Sequence, residues 1–163
     1  MEENMFFCVG DRIAHPMHGA GVIDSIEKRK MNGREMEYYI MKLPVGGMLV
    51  MIPTETSGAI GVRHIVGPEE ADNIMDSIPD IEIDMTQNWN KRYRENMLKI
   101  KSGDLMEVAA VVKGLMTRDN DRGLSTGERK MLHSAKQILI SELVLSKKSS
   151  YEEIEERLNF AIS

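Results

Sequence analysis

A single cysteine, Cys8, leaves the chain unable to form an internal disulfide or a cysteine-based zinc site. The role expected for it is a small buried side chain in a strand. Aromatic residues make up only 5% of the sequence, with one tryptophan and three phenylalanines, so aliphatic side chains must build most of any core. The 14 methionines read mainly as adaptable core filling. No apolar run approaches the roughly 20 residues needed to cross a bilayer. The start, MEENMFF, is acidic where a secretory signal is basic, so a cytoplasmic protein without membrane association is expected.

Signatures of catalysis are also lacking. There is no glycine loop of the Walker or dinucleotide type, Cys8 has no nucleophile signature around it, and the serines fall mostly at helix caps or turns. HPMHG sets His15 and His18 three apart, a spacing that metal ligands use, but Pro16 between them and Gly19 after them favour a turn. No second ligand pair follows at a recognisable spacing. The expectation is therefore a protein that is not an enzyme, with no metal, no cofactor and no small-molecule substrate.

What is present divides into two halves within 163 residues that are 42% hydrophobic and 29% charged. As far as Gly67 the chain reads as short strands, FFCV, RIAH, AGVIDSIEK, EMEYYIMKL, GMLVMI and GAIGVRHIV, separated by turn residues. Asn32-Gly33 is the clearest hairpin signal, because a type I′ turn needs positive φ at both central residues. Gly19, Gly21 and the pair Gly46-Gly47 mark further turns or bulges. That many strands in so short a segment suggest a small barrel or a strongly bent sheet.

After Pro68 the apolar period lengthens towards 3.6. PEEADNIMDSI predicts a short helix that Pro79-Asp80 should end. Capping patterns at Asp104 with Glu107, Ser125 with Glu128 and Ser150 with Glu153 predict helices near 105–118, 126–146 and 151–162. Another should run from about 86 to 101. Leu105, Val108, Val112 and Leu115 share one helical stripe, and Leu132, Ala135, Leu139 and Leu143 share another. The class is α+β, with a β-rich domain over 1–67 and a helical bundle over 68–163.

Net charge is −5, but it is unevenly spread. Residues 1–85 carry 7 Lys/Arg against 15 Asp/Glu, residues 86–148 carry 13 against 7, and residues 149–163 carry 1 against 4. A local basic surface in the middle segment can engage phosphates even in an acidic protein. A solvated helical face is the plainer explanation of the same charges.

The only tryptophan, Trp89, lies in this segment beside Lys91, Arg92 and Arg94, in QNWNKRYREN. Helical spacing puts Trp89, Tyr93, Met97 and Ile100 in one broad stripe, and periodicity taken alone favours a buried indole. Its place in the first turn of the helix points the other way. An exposed indole among cations suits a wedge or a stacking surface for nucleic acid.

In their order along the chain, VGDRIAHPMHGAGVI, IGVRHIVGPEE, NWNKRYRENMLKIKSGD and RDNDRGLSTGERKMLHSAKQILISEL resemble the CarD family of bacterial transcription regulators, in its CdnL branch. The likeness spans residues 5–162. It implies a Tudor-like N-terminal barrel that docks on the β subunit of RNA polymerase and a helical domain that contacts promoter DNA. It also implies that Trp89 enters the minor groove at the upstream edge of the melted bubble and slows collapse of the open complex. Lys91 and Arg94, with Arg92 as an addition, match the family's DNA contacts. Arg29 and Met31 match its polymerase-facing positions, as does Met51, where some relatives carry arginine. Two other readings are a protein-protein adaptor with Trp89 buried, and a DNA-binding repressor that needs no polymerase.

Overall fold

The computed structural model describes residues 6–163; residues 1–5, which carry most of the acidic start, lie outside the described residues. Five strands, β1 (Arg12–His15), β2 (Gly19–Met31), β3 (Arg34–Lys42), β4 (Leu49–Pro53) and β5 (Arg63–His64), form an antiparallel sheet in the order β4-β3-β2-β1-β5. Asn32 and Gly33 take φ of 53° and 79°, as the turn requires, and Met31 pairs with Arg34 across it. The register of β2 shifts between Ile23 and Ser25, and a Cβ on Gly21 would lie 2.5 Å from the Lys42 carbonyl oxygen. Only glycine permits that approach of two backbones. Ile13, Ile23, Tyr39, Met41 and Ile52 pack together on one face of the sheet.

Two segments expected as strands take other forms. In FFCV the backbone is used by a turn at Gly10: the Cys8 N–H donates to Asp11 Oδ2 at 2.8 Å, and the Asp11 N–H donates to the Cys8 carbonyl at 3.0 Å. Phe7 alone turns inward, edge-on to Tyr39, and Cys8 is exposed rather than buried in a strand. The GAI of GAIGVRHIV belongs to a single helical turn, α1 (Ser57–Ile60), which ends at Gly61 with φ 102°. Methionines divide between the core, as with Met41, Met75 and Met131, and the surface, as with Met17, Met31, Met48 and Met51.

The second half contains α2 (Pro68–Ser77), a 3-10 turn (Ile78–Asp80), α3 (Trp89–Lys101), α4 (Leu105–Arg122), α5 (Thr126–Lys147) and α6 (Tyr151–Ile162). Helix α2 ends at Ser77, as expected ahead of Pro79-Asp80, and the chain continues through the 3-10 turn. Asp104, Ser125 and Ser150 each cap their helix by accepting a backbone N–H. In α3 that role falls to Asn88, whose side chain accepts from the Lys91 N–H, so the helix begins at Trp89 rather than near 86.

Helix α5 is the central element, buried almost all round from Ile138 to Val144. It packs on α4 and α6, and also reaches the sheet: the Ala20 N–H donates to Ser141 Oγ at 2.9 Å. Beside this contact Glu142, 1% exposed, accepts from Arg63 Nη1 at 2.7 Å, from Arg63 Nη2 at 3.0 Å and from the Val66 N–H at 2.9 Å. The same guanidinium donates to the Gly103 carbonyl through Nε and Nη2. Among the described residues no helix is long and apolar enough to cross a membrane.

Candidate functional site

The start of α3 and the start of α5 meet at one tip of the helical half. Trp89 is the first residue of α3 and 43% exposed, whereas Tyr93 and Met97 are partly buried against the core and Ile100 is fully inside. The apolar stripe thus emerges from the core towards its N-terminal end. The indole stacks on Tyr93 with ring centroids 4.9 Å apart and planes 18° from parallel. Its Nε1–H donates to Ser125 Oγ at 2.9 Å, which satisfies the ring's one polar group within the protein. The bare backbone of Gly127 lies against the same pair, since a Cβ there would be 3.7 Å from each ring.

Behind the rings lies an ion pair. Arg92 donates through Nε to Glu128 Oε2 at 2.7 Å and through Nη2 to Oε1 at 3.2 Å, with side chains only 11% and 2% exposed. Nη1 donates to the Gln87 carbonyl, which ties down the backbone leading into α3. Burial pushes the Glu128 carboxyl up, but the hydrogen bonds and charge of Arg92, the Ser125 hydroxyl and the nearby Arg118 charge outweigh it and hold the group below its ordinary value. Arg92, unlike the other two cations near Trp89, is thus engaged within the protein. Its charge is neutralised and nearly all its surface is covered by protein.

Lys91 and Arg94 are exposed, and among the described residues neither has an ion-pair partner. At about 100° per residue they lie on the face of α3 turned away from the stripe of Trp89 and Tyr93. The tip thus offers an apolar ring on one side and free cations on the other.

On the sheet, Ser25, Ile40 and Met51 lie side by side on β2, β3 and β4 and share a face. Arg29 and Met31 follow Ser25 by even steps along β2, so they share that face too. The three expected polymerase contacts are all exposed, with Arg29 paired to Glu27 at 3.2 Å. They do not form one cluster: four residues along β2 at about 3.3 Å each, plus two strand spacings of about 4.8 Å, separate Arg29 from Met51. Exposed Met48 and Leu49 extend the apolar surface at the Met51 end.

His15 and His18 occupy the turn between β1 and β2, with ring centroids 4.5 Å apart. Burial, and then the neighbouring His18 charge, lower His15 to about 4, and its Nδ1 accepts the Met17 N–H. Among the described residues no third His, Cys, Asp or Glu completes a metal-binding group.

Sequence reading missed Ser125 and Glu128 as parts of the tip. Both stood out only as a helix start, and spacing within α5 carries no information about partners on α3.

The architecture is that of a two-part α+β protein, an antiparallel five-stranded sheet followed by a helical bundle with a solvent-facing tryptophan at its tip. Residues 7–66 match the model of the CarD-like/TRCF RID domain, and residues 73–159 match that of the CarD C-terminal domain. The chain is also 37% identical over 141 residues to a Bacillus subtilis (strain 168) protein described as "Putative transcription factor YdeB", covering 86% of this chain and 92% of that one. The chain belongs to the CarD family. It is a transcription regulator of the kind whose N-terminal module interacts with RNA polymerase.

Proposed function

We propose that this protein docks on the β subunit of RNA polymerase, in the cytoplasm, and stabilises the open promoter complex by placing Trp89 in the minor groove at the upstream edge of the bubble. The observation that carries this reading is the state of the indole: half exposed at a helix start, with its N–H already bonded to Ser125. Such a ring presents apolar surface and makes no demand for a particular base. It gains most where a base step is already unstacked. Only a difference in affinity for open and closed DNA shifts their balance, and a wedge supplies that difference. Lys91 and Arg94 hold phosphates and so fix position without reading sequence. Arg29, Met31 and Met51 provide the polymerase-facing surface, and tethering through it lets a weak DNA contact act at high effective concentration.

The test compares wild type with Trp89→Ala in open-complex lifetime on purified polymerase. The variant is expected to fold and to bind the β subunit as wild type does, and to lose most of the stabilisation. A loss of folding stability of about 3–5 kcal/mol would instead mark the ring as core, and an unchanged lifetime would remove the wedge. Charge reversal at Lys91 and Arg94 should weaken binding to duplex DNA and flatten its salt dependence, by about 0.9 in log–log slope for each phosphate no longer neutralised. An unchanged slope would make the two cations solvated surface.

A further inference from the structure

The Trp89 indole is held in place before any DNA arrives, and the hydrogen bond that holds it comes from the N-cap of α5 rather than from its own helix. Ser125 Oγ, which accepts the indole N–H at 2.9 Å, has no freedom to wander. It also accepts the Glu128 N–H at 3.2 Å as the cap of α5 and lies 3.3 Å from Glu128 Oε1, to which its hydroxyl proton is directed. The carboxylate it meets is in turn held at both oxygens by Arg92, whose third nitrogen bonds the Gln87 carbonyl two residues before Trp89. The bonds thus close a loop: indole, Ser125, Glu128, Arg92, and back to the backbone that enters α3. Tyr93 covers one face of the ring, and Gly127, having no side chain, leaves room for the pair.

We infer that Ser125 is a positioning residue for the Trp89 wedge, with Glu128 and Arg92 as its support. The physical reason is entropy. A side chain that inserts into DNA must give up its rotamer freedom, and a ring already fixed in one orientation has less to give up. A fixed ring also keeps its N–H bonded, so insertion leaves no unpaired donor in the base stack. This inference rests on the wedge reading above but concerns a different element of the chain.

Because Trp89 is the only tryptophan, its fluorescence reports on this ring alone. The experiment compares Ser125→Ala, Ser125→Thr, Ser150→Ala and Trp89→Ala in the full chain. For the three that keep the indole, it reads emission anisotropy and iodide quenching of the free protein; for all four, it reads open-complex lifetime with purified polymerase. Ser150→Ala is the control for capping: Ser150 accepts the Glu153 N–H at 3.2 Å, in the same geometry as Ser125, with no indole attached. Loss of one hydrogen bond's worth of preorganisation predicts that Ser125→Ala lowers anisotropy, raises quenching and shortens the lifetime about fivefold. Ser125→Thr should restore all three, and Ser150→Ala should alter none.

If Ser125→Ala leaves the lifetime at the wild-type value while Trp89→Ala shortens it, the wedge stands and the positioning role is overturned. That role is equally overturned if Ser150→Ala shortens the lifetime as much as Ser125→Ala, because the effect is then one of helix capping. If Trp89→Ala itself leaves the lifetime unchanged, the wedge reading fails and this inference falls with it.

Discussion

Arg92 has a structural role that its type and its neighbours in sequence do not disclose. In sequence it is one of three cations around a tryptophan, and the family resemblance places it beside the DNA contacts. In the fold it is bonded through Nε and Nη2 to a carboxylate that is itself almost fully enclosed. Removing such a partner leaves a buried charge unpaired, which costs more than the pair contributes when intact. Arg92→Ala is therefore expected to destabilise the protein by about 3–5 kcal/mol, whereas a surface phosphate contact would leave stability nearly unchanged. Arg92→Lys should recover little, since a single ammonium cannot reproduce the two-pronged contact. The dependence on pH follows from Glu128, whose folded pKa is depressed. Its contribution is fully present above the ordinary carboxylate value and is lost as pH falls through the lower folded value. Denaturant titrations of wild type and Glu128→Gln across the acid range check this, with the difference in stability between them shrinking as the pH is lowered.

At the scale of elements, what could be read from sequence was what local chemistry decides. Asn32-Gly33 needs positive φ and obtains it; Asp104, Ser125 and Ser150 start helices because their side chains meet orphan N–H groups in the first turn. The readings that failed depended on distant partners or on a competing local bond. FFCV has strand-forming side chains, yet the Asp11 carboxylate captures the Cys8 N–H and the Tyr39 hydroxyl takes the Phe7 N–H. The stripe through Trp89 is legible, but not where along it the core ends, because that depends on how far α4 and the start of α5 cover α3. Gly19 joins both kinds of cause. Its φ of 89° follows from the turn after His18, while a Cβ there would lie 2.6 Å from Ser141 Oγ and 3.2 Å from Ile138 Cα on α5. Gly19→Ala should accordingly cost about 1–3 kcal/mol from the backbone alone, and more from the contact with α5. Faster amide exchange at Ala20, whose N–H bonds Ser141, would show that the sheet has been pushed off the helix. Unchanged exchange there would mean the turn absorbs the methyl group.

For the whole molecule the decisive feature is that its two proposed contact surfaces are joined by a polar seam built around the buried Glu142 rather than by a free linker. Arg63 on β5 bonds Glu142 on α5 and the Gly103 carbonyl between α3 and α4, Arg12 on β1 bonds the Leu145 carbonyl, and Ser146 bonds the Val66 carbonyl. Sheet, bundle and tip are thus fastened at the same helix. A regulator that holds one face on the polymerase and a ring in the DNA gains from such stiffness, because effective concentration falls when the two sites can drift relative to each other. Glu142→Gln keeps the size of the side chain and one acceptor oxygen but leaves the Arg63 charge without its counter-charge. The variant is expected to retain binding to the isolated β subunit and weak binding to duplex DNA, since neither surface is touched. It should nevertheless shorten the open-complex lifetime, because only that state uses both surfaces at once. Measuring the three quantities on one preparation separates the possibilities: equal losses in all three indicate general unfolding, and a lifetime equal to wild type would mean that the seam stabilises the fold without setting the distance between the two contacts.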